Sequence, residues 1–255
     1  MPVDYHTHPL AHGEYAHSKE HLSLFFEQAR KMGLKEIGLA DHDRFREDFC
    51  FETIKEAARS FPDLQVKVGI EVDYIPGKIE KISQLVDEYP WDFVIGSVHF
   101  IDGWGFDNPD EIRGYEGKDP DELYSRYYDY LAEAIQSKLF DIIGHFDLIK
   151  IFNLRPKEDP VKLAQKALDA AFDAGVCVEI NTAGRYKPVG EMYPEKRLLQ
   201  ACYERGIPIT LSSDAHHPAH VGRDIDQAKA LARRVGYHKA VRFSARQKDY
   251  LSFSA

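Results

Sequence analysis

Residues 1–10 read MPVDYHTHPL, and the two histidines at positions 6 and 8 govern how the rest of the chain is read. Pro2 to Tyr5 suits a short strand that leads into them. Residues two apart on a strand face the same way, so the imidazoles of His6 and His8 converge on one point. A metal ion is what such a convergence of imidazoles usually serves.

The same punctuation recurs along the chain. Glu36–Leu39 (EIGL) reads as a strand ending at Ala40-Asp41-His42, Val66–Ile70 ends at Glu71, Phe93–Val98 at His99 and Asp141–Ile143 at His145. Val176–Ile180 (VCVEI) ends at Asn181, and Ile207–Leu211 at Ser212-Ser213-Asp214-Ala215-His216. Between them lie stretches of helical apolar spacing: Leu22–Met32, Glu52–Arg59, Ile79–Val86, Leu123–Gln136, Pro160–Ala174 and Glu195–Arg205, with Gly33 and Gly175 as stops. Strands alternating with helices predict a parallel sheet, and regular repetition over this length favours a closed α/β barrel. In such barrels the active site is built at the C-terminal ends of the strands, where the ligand-type residues fall here. Gly103–Pro120 reads as a long loop, in which Trp104 and Phe106 either pin the loop to the barrel or cover a substrate ring. No repeat, low-complexity tract or linker interrupts the pattern, so residues 1–255 are expected to form a single domain.

The formal net charge of -9 disfavours a sequence-independent nucleic-acid binder, which needs clustered Lys and Arg against phosphates. No run approaches the ~20 apolar residues of a membrane span, and the acidic, His-rich start lacks the basic-then-apolar pattern of a signal peptide. A cytoplasmic protein with no membrane partner is expected. Cys50, Cys177 and Cys202 are odd in number and widely spaced, which reads as buried, reduced thiols and not as ligands.

A single histidine after a strand is ordinarily a hydrogen-bonded structural residue, but the set behaves differently. Clustered buried imidazoles and carboxylates cost several kcal/mol unless paired or metal-bound. His and carboxylate donors suit Zn, Mn or Fe, and the number of donors points to more than one ion. Two ions about 3.5–4 Å apart can share a carboxylate and clamp a phosphoryl group.

Taken together, His6-Thr7-His8, Ala40-Asp41-His42, Gly69-Ile70-Glu71, Ser97-Val98-His99, Gly144-His145-Phe146-Asp147 and Ser213-Asp214-Ala215-His216 resemble the polymerase and histidinol phosphatase (PHP) family, in order and nearly end to end. SVHFIDGWGFDNPDEI (97–112) and INTAGRYKPVGEMYP (180–194) resemble its histidinol-phosphatase branch. The resemblance implies a distorted (β/α)7 TIM-like barrel with a trinuclear centre of Zn, Mn and/or Fe. It implies a first ion on His6, His8, Glu71 and Asp214, and a second on Glu71, as a bridge, with His99 and His145. A third ion falls to His42, His216 and one histidine of the loop after His8. Many members place that last ligand where Glu14 stands here; His12 is preferred because a short turn through Pro9 and Gly13 returns it to the rim, with His17 as the alternative. His21 is read as part of the first helix. Asp41 is read as an acceptor that orients an imidazole, or as a helix N-cap, and Asp147 has the same two readings.

The activity implied is hydrolysis of L-histidinol phosphate to L-histidinol and phosphate, a step of histidine biosynthesis, by attack of a metal-bound hydroxide on phosphorus. No covalent phosphoenzyme is required. Glu71, Asp214 and Arg185 are the implied catalytic residues, with Arg185 as a fork and Lys150 as a point charge on the substrate phosphate. Lys187 and Arg223 either assist or are plain surface charges. The proton donor to the leaving alcohol stays open among a metal-bound water, Asp214 and a histidine. Two other readings share the chain: a PHP phosphoesterase acting on phosphotyrosine protein or on a nucleotide or nucleic acid, and a non-catalytic metal-binding module. The full ligand set argues against the module, and the acidic balance against a nuclease.

Overall fold

A computed structural model describes residues 3–253, so Pro2, the expected start of the first strand, lies outside the described residues. In chain order the strands are β1 (Val3–Thr7), β2 (Glu36–Leu39), β3 (Gln65–Asp73), β4 (Phe93–Ser97), the hairpin β5 (Phe100–Ile101) and β6 (Trp104–Gly105), β7 (Ile142–Ile143), β8 (Cys177–Asn181), β9 (Ile209–Ser212), and a final hairpin of β10 (Lys239–Ser244) and β11 (Gln247–Ser252). The helices are α1 (Lys19–Lys31), α2 (Phe51–Ala58), α3 (Ile79–Asp87), α4 (Pro120–Gln136), α5 (Pro160–Leu163), α6 (Gln165–Ala174), α7 (Lys196–Glu204) and α8 (Ile225–Val235). Local chemistry sets several of the boundaries. Ser18 caps α1 by accepting from the His21 amide at 3.1 Å, Asp119 caps α4 with Pro120 in its first turn, and Gly175 ends α6 in the left-handed conformation at φ 62°.

Seven strands lie side by side in the order β1-β2-β3-β4-β7-β8-β9, every neighbouring pair parallel. β1 and β9 share no ladder. Their backbone hydrogen bonds lie at the C-terminal end, where His8 donates its amide to the Ala215 carbonyl at 2.8 Å and Ala215 donates to the His6 carbonyl at 3.2 Å. Below that point the Asp4 carboxylate spans the seam, accepting from the Ser213 amide (2.9 Å), the Ser213 hydroxyl (2.5 Å) and the Gly222 amide (2.8 Å). The result is the distorted seven-stranded barrel the sequence led us to expect.

The barrel interior is filled by Phe93 of β4, with Tyr5 edge-on to it at 4.9 Å and Phe243 of β10 packing on Tyr5 at 5.7 Å. Gly38 and Gly69 make room: a Cβ at Gly69 would sit 2.5 Å from the Phe93 ring. The end opposite the strand C-termini is thereby closed by aromatic packing and by the buried hydrogen bonds of the Tyr5 hydroxyl with Glu36 and Phe243, and the clustered histidines stand at the other rim.

Four expectations change. The helix expected over Pro160–Ala174 is broken at Ala164, and β3 runs on through Glu71 to Asp73, so Glu71 lies within the strand and not after it. The supposed loop Gly103–Pro120 contains β6 and a 3-10 turn over Pro109–Tyr115. Cys177 and Cys202 are buried as expected, but Cys50 is exposed, because it stands at the start of α2, outside the core.

Candidate metal centre

Six strand ends deliver their polar residues to one rim. Glu71 lies at its centre, 1% exposed, and its two carboxylate oxygens face different histidines. Oε2 is 2.8 Å from His42 Nδ1, 3.4 Å from His6 Nε2 and 3.7 Å from His8 Nε2. Oε1 is 3.1 Å from His145 Nε2 and 3.6 Å from His99 Nε2, and accepts from the Ser97 hydroxyl at 2.6 Å. Asp214 completes the first side, its Oδ1 3.3 Å from His8 Nε2 and 3.9 Å from His6 Nε2. His145 and Asp214 both hold positive φ, 24° and 54°, the kind of backbone strain that collects where side chains are held for function.

Among the described residues, three groups bring ligand atoms within 4.8 Å of one another: His6, His8 and Glu71; Glu71, His99 and His145; and His8, His42 and His216. His12 lies beside the third group, its ring 4.5 Å from His216 and 5.8 Å from His42, with Nδ1 accepting from Arg44 at 3.2 Å. His17 is elsewhere. It is buried against Asp41, with Nε2 2.9 Å from Oδ2, and Nδ1 accepts the Cys50 amide at 3.3 Å. Asp41 does orient an imidazole, but that of His17, and it also accepts the Leu10 amide at 2.7 Å.

The electrostatics match a cation site. Burial alone would raise Glu71 and Asp214, yet the surrounding imidazoles, His6 foremost, hold both well below the usual carboxylate range. Burial and the neighbouring His216 and His42 push His8 down, and burial lowers His216 to about 4, so both are neutral donors at pH 7. His6 and His99 go the other way. Burial opposes their charge, but Glu179, Asp214 and Glu71 hold His6 well above its ordinary value, and Asp73 and Glu71 raise His99 to about 10. The residues fit metal ions on a direct count: His6 Nε2, His8 Nε2, His42 Nε2, Glu71 Oε2 and His216 Nε2 are buried without a hydrogen-bond partner, which lone pairs aimed at cations would explain.

Behind the ligand candidates stands a layer of acceptors that sequence reading missed. Glu179, fully buried on β8, holds His6 Nδ1 at 3.0 Å, the His145 amide at 2.8 Å and the Asn181 side-chain amide at 2.8 Å. Asp73 holds His99 Nδ1 at 2.5 Å, and Asn181 Nδ2 donates to Asp214 at 3.1 Å. The available signal was period two: Glu179 precedes Asn181, and Asp73 follows Glu71, by two positions on a strand.

Other expected site residues lie at different places. Arg185 is exposed on the turn after β8, with Nε 3.0 Å from Asp224 and an Nη hydrogen bond to Gln227, and it lines a cavity of about 520 Å³ with Arg197 and Arg234. Lys150 is 1% exposed, its ammonium given to Asp147 (2.9 Å), Glu191 (3.2 Å) and the Met192 carbonyl (2.8 Å), so its charge is already matched inside the protein. Asp147 caps no helix with its side chain; it accepts Lys150 and the Glu195 amide at 2.9 Å. Arg223 stacks 3.5 Å over the Tyr186 ring, and Lys187 is an exposed surface residue. Trp104 and Phe106 pin the loop, Phe106 fully buried against Tyr127 at 5.6 Å and Trp104 against Tyr115 at 4.6 Å.

Comparison with known proteins gives the same picture. The family model described as PHP domain matches residues 4–183. A "probable histidinol-phosphatase" of Deinococcus radiodurans is 45% identical over 174 residues, 68% of this chain and 66% of that protein. The histidinol-phosphatase of Lactococcus lactis is 27% identical over 271 residues, covering 97% of this chain and 96% of its own. The crystal structure of histidinol phosphate phosphatase from Lactococcus lactis, complexed with Zn, L-histidinol and phosphate, superposes with a TM-score of 0.79 at 25% identity, over 97% of this chain and 98% of the other.

Proposed function

The chain belongs to the PHP domain family, and from that premise we infer that it is a metal-dependent phosphomonoesterase that hydrolyses L-histidinol phosphate to L-histidinol and phosphate. The observation that carries the reading is the divided carboxylate of Glu71, one oxygen toward His6, His8 and His42 and the other toward His99 and His145. A bridging ligand between two cations needs that division.

We assign His6, His8, Glu71 and Asp214 to a first ion, Glu71, His99 and His145 to a second, and His42, His216 and His12 to a third. Zinc is the first choice because the Lactococcus lactis structure holds it, with Mn and Fe compatible with the same donors. When bound, such ions lower the pKa of water toward about 7 and neutralise charge growing on phosphoryl oxygens. The chain's own residues do the rest. Glu71 and Asp214, held ionised by the surrounding imidazoles, supply the negative charge that keeps cations together. Glu179 and Asp73 fix the rings of His6 and His99 so that each presents Nε2 to the rim. Arg185, the exposed cation on the turn after β8, takes the substrate phosphate by exchanging its pairs with Asp224 and Gln227 for phosphate oxygens.

Residues 1–255 are read as a single phosphoesterase domain. The family model ends at 183, but β9 beyond it brings Asp214 and His216 to the same rim. The partner is a small phosphorylated substrate, and a cytoplasmic role in histidine biosynthesis without nucleic-acid or membrane partners belongs to the same reading. Among the described residues no helix is long and apolar enough to cross a membrane.

Phosphate release from L-histidinol phosphate tests this directly. Turnover should be lost on chelation and return on adding Zn or Mn, with metal analysis approaching three ions per chain. Folded protein that stays inactive with Zn, Mn and Fe alike would overturn the assignment.

A further inference from the structure

Tyr193 and Tyr128 are both buried with a hydroxyl that lacks a partner, but the Tyr128 ring packs on Tyr127 and Phe146 whereas that of Tyr193 packs on a ligand candidate, His145. The Tyr193 backbone pairs with Asn181 at the end of β8 through two hydrogen bonds of 2.7 and 3.0 Å. The phenol then crosses Gly184, where a Cβ would come within 2.7 Å of Cε2 and 2.9 Å of Cζ. Its ring stands edge-on to His145 at 6.3 Å, and the Lys150 ammonium lies 5.3 Å from the ring centroid while bonded to the carbonyl of neighbouring Met192. The ring is held from three sides.

Its hydroxyl, at the end of that framework, has no partner although the residue is only 1% exposed. Tyr127 is different: its hydroxyl donates to the His145 carbonyl at 3.2 Å and accepts the Leu148 amide at 3.3 Å, a complete structural role. A buried hydroxyl without a partner forfeits its hydration and gains nothing in return. The Tyr193 hydroxyl is thus a buried donor that lacks an acceptor. What belongs there is an oxygen-rich anion that enters beside His145.

We propose that the Tyr193 hydroxyl donates a hydrogen bond to the phosphate ester of the substrate. The proposal rests on the phosphatase reading and adds a substrate contact from the turn after β8. Lys150 and Gly184 then act as positioning residues, one behind the ring and one clearing its path.

Tyr193→Phe removes one oxygen and leaves the packing in place. On metal-loaded enzyme, kcat should be compared for L-histidinol phosphate and for p-nitrophenyl phosphate, together with inorganic phosphate affinity, metal content and thermal midpoint. The expected result is a fall of about 10–100-fold in kcat for L-histidinol phosphate with metal content and midpoint unchanged. A much smaller fall for the aryl ester, whose leaving group needs little help, would place the contact on the leaving oxygen. An equal fall with weakened phosphate binding would place it on a non-bridging oxygen. Rates within twofold of wild type on both substrates, or losses that follow metal content or midpoint, would overturn the proposal and leave the hydroxyl to a buried water or to folding. Wild-type enzyme that cleaves p-nitrophenyl phosphate and not L-histidinol phosphate would count against the histidinol phosphate reading, and an alkyl phosphate ester that it does cleave would then take the place of L-histidinol phosphate in the comparison that decides Tyr193.

Discussion

His6 shows how much one side chain depends on its second nitrogen. Nε2 faces Glu71 and Asp214, while Nδ1 is fixed 3.0 Å from Glu179, itself fully buried and shared with the His145 amide and Asn181. Glu179→Gln removes the charge and puts an amide donor among three donors. We expect metal affinity to weaken by about 10–100-fold, measured by competition with a chromophoric chelator; unchanged affinity would mean that His6 needs no orienting partner. The difference between His6 and Glu179 also explains what could be read beforehand. His6, His8, Glu71, His99, His145, Asp214 and His216 were legible because the sequence places ligand-type residues where strands close. Glu179 lies inside the apolar run VCVEI, where a lone carboxylate gives no sign of what it meets. Lys150 shows the reverse: a lysine near a strand end suggests a free charge, and only the fold shows Asp147 and Glu191 closing on it.

Strand positions were predictable from apolar runs, and their fit in the barrel was not. Phe93 on β4 fills space that Gly38 on β2 and Gly69 on β3 leave open, so three elements share one packing solution. Gly69→Ala forces a methyl to within 2.5 Å of the Phe93 ring and should cost about 1–3 kcal/mol in denaturant unfolding. Phe93→Leu in the same chain should recover part of that loss, because the smaller side chain yields the space, and the double variant should be more stable than the sum of single effects. Strict additivity would show that the two sites do not share space. The segment 103–120 follows the same principle: its Gly, Pro and Asp content reads as irregular, yet Phe106 buried against Tyr127 fastens it to α4, and the Tyr115 hydroxyl bond to the Phe106 carbonyl at 3.0 Å closes it on itself. Local composition recorded the turns and not the aromatic contacts that hold them.

At the scale of the molecule, barrel closure and metal binding fall on the same residues. β1 and β9 meet through His6, His8 and Ala215 and through the buried Asp4, so the seam carries two histidines and Asp214 directly into the rim. No pattern within one segment records that pairing, because its partners are more than 200 positions apart. The assembled rim also has a fixed proton inventory. In metal-free protein at pH 7.5, His99, raised to about 10, and His6, raised well above its ordinary value, are protonated on both ring nitrogens, whereas His8 and His216 are already neutral. An ion needs the lone pair of Nε2, so loading must expel the protons of His6 and His99 and none from His8 or His216. Titrating Zn into weakly buffered metal-free protein with a pH dye should therefore release on the order of two protons per chain from these rings. The release from His99 should decline as the starting pH passes about 10, and apparent affinity should climb with pH up to that point. Zn binding without proton release at pH 7.5 would mean that the carboxylates around His6 and His99 do not hold those protons, and that the rim is neutral before metal arrives.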